Sequence, residues 1–346
     1  MGRVHLATRI YDGLKCCMKS ISKSYLEENQ IVDYDVKLKG LLKMSHPNIV
    51  KYLDFFEDNE NFYIFMEFCE GQDLLKLINT NHGIHEPDAK KIITQLANVL
   101  VYMNEHNITH RDIKPENIIV NSSYQVKLID FGICSLNPIP LLTTYCGSIE
   151  YTAPETILHQ PYVGSKADVW SCGVVLYAML SGELPWNTHN IQIATQQIIA
   201  GRIQFPPTFP PLAANLVHLM LKVDPSKRIS ANQILTHIWL NTDTVHSCSQ
   251  IYKNTSIGKY SSLVSRKRNL LTHGKITQNY STGSGIKLNS AMNTFQQRQN
   301  NKNTLSANNF QWVSFRCRKR SLSSITSEEI LPPLTRKSDN ESILIE

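Results

Sequence analysis

Between Ala167 and Leu180 nearly every residue after the first few is apolar. A helix made of such a stretch has no polar face to offer water, so it must be buried on every side, inside a lobe large enough to wrap it. It cannot cross a membrane: its longest apolar run, Gly173 to Leu180, falls well short of the ~20 residues a spanning helix needs. With 346 residues, 42% of them hydrophobic, the chain has the material for such a core, which excludes a wholly disordered protein.

Around this helix the apolar pattern changes along the chain. Leu6, Ile10, Leu14 and the run Cys16 to Ile21 flank Asp12-Gly13, a turn dipeptide, and predict an opening hairpin. A helix is expected around Ile31 to Met44, ending at His46-Pro47-Asn48, and the runs Ile49 to Phe56 and Phe62 to Phe68 read as strands. From Asp73 the spacing turns helical, most clearly over Asp88 to Asn107, where Ile92, Leu96, Val99 and Met103 share one face.

After Trp239-Leu240 the composition becomes rich in Ser, Thr, Asn and Gln, and the stretch Asn289 to Asn309 cannot bury enough surface to offset its ordering entropy. This tail is expected to be disordered, apart from the apolar-basic segment Phe310 to Ser321, which is suited to docking. It holds 15 of the 35 basic side chains and 6 of the 29 acidic ones, a net of +9, which leaves residues 1 to 240 at −3. Its clusters Arg266-Lys267-Arg268 and Arg316 to Arg320 would attract phosphates without sequence preference, but a solvated tail is the simpler reading, so no nucleic acid partner is expected. The eight cysteines show no CxxC pair and no metal-like spacing, and read as free thiols in a reducing compartment. The start lacks a secretory layout, and Leu6 stands where a myristoylation motif wants Ser or Thr. A cytoplasmic location follows, with the nucleus as the alternative, and no membrane partner. Nothing in the pattern sets the oligomeric state.

Three motifs then occur in order: His110-Arg111-Asp112-Ile113-Lys114-Pro115-Glu116-Asn117, Asp130-Phe131-Gly132 and Ala153-Pro154-Glu155. Over about residues 2 to 240 the chain resembles the eukaryotic protein kinase family, whose catalytic loop, metal-binding turn and substrate-loop anchor carry these residues. The resemblance implies an α+β, bilobal protein kinase fold. Residues 1–69 would form a small β-rich lobe and hinge, residues 70–240 a large helical lobe, and residues 241–346 the tail. It also implies ATP and Mg²⁺ as cofactors and Ser/Thr hydroxyls of proteins as acceptors. Phosphoryl transfer needs mainly an in-line nucleophile and neutralised phosphate oxygens. By resemblance, Asp112 orients the acceptor hydroxyl and takes its proton, Lys114 meets the transferred group, and Asn117 and Asp130 are hard oxygen ligands for Mg²⁺. Lysine two places after Asp112 is the serine/threonine form of the loop.

The remaining roles are likewise implied by the resemblance. Lys19 matches the phosphate-anchoring lysine, and Gly2, Val4, Cys17 and Ile119 fall at nucleotide-contacting positions. Met66 stands at the gatekeeper position, ahead of a hinge whose Glu67 carbonyl and Cys69 amide would bond adenine. Asp73 and Glu116 fall where acids meet the ribose or substrate arginines, which suggests basic substrates. The segment Leu142 to Ser148, with Lys166 to Tyr177, resembles the calcium/calmodulin-dependent-like group, especially its AMP-activated kinase-like branch. Thr144 matches an activation-loop phosphosite, modified by an upstream kinase or by autophosphorylation, with Arg111 as partner of its phosphate. Ser148 would line the substrate pocket and contact Asp112, Asp168 would hold the catalytic-loop backbone, and Glu155 would pair with Arg228.

Two departures stand against this pattern. Of the glycine-rich loop only Gly2 and Val4 remain, as though the chain began at the third glycine, so the first strand is expected to be missing and the next strand's edge open. Counting back from His46-Pro47-Asn48, the helix glutamate that should pair with Lys19 falls on Lys37. Two cations at ~4 Å repel by roughly 4 kcal/mol at an effective dielectric near 20, so such a pair is expected to part, leaving Asp33 as the acid that could reach Lys19 if the helix shifts, with Asp35 on another face. Either the site is impaired or a partner or phosphorylation seats the helix. The alternative to an enzyme is a pseudokinase scaffold that signals by conformation. A further expectation places Arg318-Lys319-Arg320-Ser321 in the cleft as a substrate mimic.

Overall fold

The computed structural model describes residues 3–10, 12–29, 31–136, 141–187 and 189–242, with the backbone of five short strands beyond residue 310. The chain opens with the expected hairpin: β1 (Arg3–Arg9) runs antiparallel to β2 (Lys15–Ser22), with Leu6 opposite Cys17 and Thr8 opposite Lys15. At the turn Gly13 adopts φ +72°, a conformation glycine reaches without a Cβ penalty. β3 (Tyr52–Glu57) and β4 (Asn61–Glu67) complete the sheet order β1-β2-β4-β3. Successive strand side chains take opposite faces, so Cys16 and Met18 join Ala7, Phe56 and Phe65 in a small cluster on one face of the sheet, while Cys17 and Lys19 turn to the other.

Two helices follow β2. α1 (Lys23–Glu28), not anticipated from the sequence, starts because Ser22 Oγ accepts from the Tyr25 amide at 3.2 Å. α2 (Tyr34–Leu41) is shorter than the expected Ile31 to Met44; Asp33 precedes it in the left-handed region, at φ 53°. Tyr34, Leu38 and Leu41 are its buried face.

The larger lobe begins with β5 (Gln72–Asp73) and α3 (Leu74–Asn81), followed by α4 (Glu86–Glu105), in which Ile92, Leu96, Val99 and Met103 are all buried as their spacing predicts. β6 (Ile118–Val120) and β7 (Val126–Leu128) form a small sheet with β5. α5 (Pro154–Ile157) leads to α6 (Gly164–Ser181), the helix of the apolar run, which is buried from Ala167 to Met179 and packs against both α4 and α8. α7 (Ile191–Ile199), α8 (Pro211–Met220), α9 (Ala231–Leu235) and α10 (Ile238–Asn241) close the lobe.

The strands beyond residue 310 are β8 (Gln311–Val313), β9 (Arg316–Cys317), β10 (Glu329–Ile330), β11 (Leu334–Arg336) and β12 (Ile343–Ile345). β8 pairs with β11 and β9 with β10, while β12 runs antiparallel to β1 with Ala7 opposite Ile345. The edge of β1 expected to be open thus carries a strand, as unpaired edge amides and carbonyls favour. The tail expected to be disordered, 241–346, lies outside the described residues except for 241–242 and these strands, and the substrate-mimic segment Arg318 to Ser321 lies wholly outside them.

One buried ion pair fixes the lower part of the large lobe. Both terminal nitrogens of the Arg228 guanidinium donate to Glu155, at 2.7 and 2.9 Å, and the guanidinium also meets the Lys166 carbonyl and the Trp170 ring. Removing one member leaves the other charge desolvated and unpaired. Glu155→Ala should therefore lower unfolding stability by about 3–5 kcal/mol, read by urea denaturation; a loss under about 1 kcal/mol would show that water reaches Arg228.

Candidate active site

The cleft between the sheet and the helical lobe is lined by Val4, Cys17, Lys19, Met66, Glu67 and Cys69 on one side and by Ile119, Ile129, Asp130 and Gly132 on the other. It holds about 780 Å³ of empty space open to solvent. Tyr34, Val50, Tyr52 and Ile64 also line it, and no pattern marks them as cleft residues because their apolar character reads as ordinary core. Gly2 lies outside the described residues. Asp73, expected at the nucleotide, caps α3 with one carboxylate oxygen, Oδ1, which accepts from the Lys76 amide at 2.7 Å.

Below the cleft, the catalytic loop is held by a carboxylate from the buried helix. Asp168 Oδ2 accepts from the His110 amide at 2.8 Å and Oδ1 from the Arg111 amide at 3.0 Å. Burial pushes the Asp168 carboxyl up to about 7, against the pull of these two amides. The bonds sustain a left-handed Arg111, φ 67°, a conformation that survives only when its surroundings enforce it. His110 is also buried, and its imidazole is pushed down to about 4 while Nε2 meets the Ile129 carbonyl at 3.0 Å.

Asp112 is oriented from three sides. Its Oδ1 accepts the Ser148 amide at 3.1 Å and the Ser148 hydroxyl at 3.0 Å; its Oδ2 takes Asn117 Nδ2 at 3.0 Å and Lys114 Nζ at 2.9 Å. Lys114 also donates to Ser148 Oγ at 2.7 Å, so Asp112, Lys114 and Ser148 form a closed triangle. Asn117 Nδ2 has a second bond, to the Asp112 carbonyl at 2.8 Å, which leaves Oδ1 as the oxygen available to a cation. Just past β7, the Ile129 amide donates to the Asn117 carbonyl at 2.9 Å and ties this loop to the turn Asp130-Phe131-Gly132.

On that turn Asp130 is left-handed, φ 61°, with Oδ1 accepting Lys19 Nζ at 2.6 Å and the Gly132 amide at 3.1 Å. Burial would raise its pKa, but the Lys19 ammonium and the Gly132 amide outweigh that and leave it lowered. A Cβ at position 132 would come within 2.9 Å of Asp130 Oδ1 and 3.5 Å of Lys19 Nζ, so glycine gives this pair its room. The expected partner Asp33 makes no cap bond on α2 and does not take Lys19. The expected clash of cations is also resolved differently: Lys37 Nζ turns to the Gly132 carbonyl at 2.6 Å. A carbonyl beside the turn is an acceptor that no count of charged residues reveals.

Among the described residues no three His, Cys, Asp or Glu side chains cluster as a ready-made metal cage. That suits Mg²⁺, which takes one or two carboxylates and completes its shell with phosphate and water oxygens, and Asn117 Oδ1 with Asp130 Oδ2 fit that part. The slot between Val4, Cys17, Met66 and Ile119 fits a flat apolar base, with the hinge from Glu67 to Cys69 at its rim. The Glu67 side chain meets the Lys51 amide at 2.8 Å and Lys127 Nζ at 2.5 Å, which braces this hinge.

On the substrate side Glu116 is exposed. Thr144 is exposed as well, and its carbonyl accepts the Tyr162 hydroxyl at 3.1 Å. The Tyr162 hydroxyl is also bonded by Arg111, whose Nε reaches the Ile133 carbonyl at 2.6 Å. The structure thereby brings Arg111 into the neighbourhood of Thr144.

A family model described as the protein kinase domain matches residues 1–240. The chain is 32% identical over 241 residues to maternal embryonic leucine zipper kinase of Xenopus tropicalis, covering 69% of this chain and 37% of that protein. Sperm motility kinase 2B of Mus musculus is 34% identical over 239 residues, covering 69% and 49%. A probable serine/threonine-protein kinase of Dictyostelium discoideum is 34% identical over 261 residues, covering 74% and 31%. The chain thus spans a third to a half of the length of these curated relatives.

The six described cysteines are free, and two of them line the cleft. Burial, with the Glu67 charge adding to it, pushes the Cys69 thiol up to about 12 from 9.0. Since the thiolate is the reactive form, iodoacetamide at pH 7.5 should label Cys69 about a thousandfold more slowly than a free thiol, with the rate rising about tenfold per pH unit up to the shifted value. Mass-spectrometric labelling at the rate of free cysteine would contradict this.

Proposed function

Because the chain belongs to the protein kinase family, we propose that it transfers the γ-phosphate of ATP to serine or threonine hydroxyls of protein substrates. The observation that carries this reading is Asp112, aimed by Ser148, Lys114 and Asn117, together with an Asp130 that lines the cleft and bonds Lys19. Bound Mg²⁺ and ATP supply an electrophilic phosphorus and the cationic charge that balances the phosphates. Asp112 accepts the proton of the acceptor hydroxyl, and Lys114, within reach of both Asp112 and Ser148, neutralises charge gathering on the transferred group. Asn117 Oδ1 and Asp130 would hold the cations, and Lys19, bonded to Asp130 here, would be the cation within reach of the phosphates. Val4, Cys17, Ile119 and the hinge seat the base.

Three finer features follow the same reading. Thr144 is an activation site, supported by its exposure and by the link through Tyr162 to Arg111, whose guanidinium suits an added phosphate. Exposed Glu116 favours arginine or lysine near the acceptor. The free thiols among the described residues fit a cytoplasmic or nuclear location. A scaffold role is the second reading, favoured because Lys19 has its bond to Asp130 and no acid from α2 beside it.

The test is transfer of labelled phosphate from ATP and Mg²⁺ to an arginine-containing serine peptide by the full chain. The native protein should incorporate label, and Asp112→Asn should lower kcat by about 10²- to 10⁴-fold. Nucleotide binding without incorporation by the native chain would favour the scaffold reading.

A further inference from the structure

α2 reaches the metal-binding turn through a lysine. Lys37 is half-buried, with its ammonium 5.9 Å from the centre of the Tyr34 ring, and Tyr34 in turn packs edge-on against Phe62 at 5.4 Å. Its Nζ donates to the Gly132 carbonyl at 2.6 Å, while the amide of the same glycine donates to Asp130. Lys19 grips that carboxylate from β2. Two ammonium groups, from a strand and from a helix, therefore hold one three-residue turn, one through a side chain and the other through the backbone. A carboxylate at position 37 would set acceptor against acceptor at the Gly132 carbonyl, so this arrangement requires a donor there. Burial lowers the pKa of Lys37, and the nearby Arg111 guanidinium lowers it further; a neutral amine still donates, so the bond does not depend on the charge.

We propose that Lys37 is a positioning residue: its bond to the Gly132 carbonyl seats α2 against the turn, in place of a carboxylate on Lys19, and so aims Asp130 into the cleft. The proposal rests on the kinase reading for its effect on turnover, but not for its effect on the turn itself. A cation on Asp130 would compete with Lys19 for the carboxylate, whereas the bond from Lys37 goes to a backbone carbonyl and would not be in that competition. Lys37 thus acts on how well the turn is set, not on how tightly nucleotide is held.

The experiment compares the native full chain with Lys37→Met, Lys37→Arg and Lys37→Glu in two measurements. Losing that bond frees α2 and the turn from each other, so Lys37→Met should raise hydrogen exchange in peptides spanning 34–41 and 130–134 by about tenfold or more, and lower kcat by a similar factor. The KM for ATP should change by less than about threefold, since Lys37 touches the turn and not the nucleotide. Lys37→Arg keeps a donor and should recover most of both losses, and Lys37→Glu should fall below Lys37→Met. Exchange unchanged in Lys37→Met, or turnover in Lys37→Glu equal to the native chain, would overturn the proposal. So would equal loss in the Met and Arg variants with equally lowered melting temperatures, which would make Lys37 packing alone. If the native chain transfers no phosphate, the activity reading fails while the exchange measurement still decides for or against the bond.

Discussion

The ion pair between Lys19 and Asp130 joins the sheet of the small lobe to the turn at the floor of the cleft. Each partner is only partly shielded, so the pair itself adds modest stability. Its importance lies in position. Lys19 is offered to the cleft by strand alternation, which sends Cys16 and Met18 to the other face, and Asp130 is offered by a left-handed backbone that Gly132 leaves room for. Both are groups that a nucleotide and its cations would engage under the proposed function, and here each is the other's partner.

Behind the pair stands a rigid support. α6 is apolar on every side and cannot shift without exposing its surface, and near its start it carries Asp168, the one acid that fixes the amides of His110 and Arg111. The catalytic loop therefore inherits its placement from the best-buried helix of the molecule. Asp112 is in turn aimed by Ser148 from beyond the metal-binding turn and by Asn117 from within the loop, so both ends of that segment converge on one carboxylate. A group held within hydrogen-bond distance by residues that are themselves fixed needs little reorganisation when it works.

Much of this was legible in the residues alone. The hairpin at Asp12-Gly13, the long helix with Ile92 to Met103 inward and the all-round burial of α6 follow from period and composition, because burial of apolar surface sets those patterns. The motif run marked the residues that gather around Asp112 and Asp130. What pattern could not reach were contacts to the backbone. The charge pattern sets Lys37 against Lys19, whereas its partner is a carbonyl. α1 depends on a single cap at Ser22, a local bond that apolar spacing does not register.

The central claim is that Lys19 and Asp130 hold each other in a cleft built for Mg²⁺ and a nucleotide. A crystal structure of the full chain with Mg²⁺ and a non-hydrolysable ATP analogue tests it most directly. It should show Asp130 and Asn117 oxygens at about 2.0–2.1 Å from magnesium and Lys19 moved to the phosphates. Nucleotide bound with the Lys19–Asp130 pair intact, or magnesium held by other side chains, would contradict it.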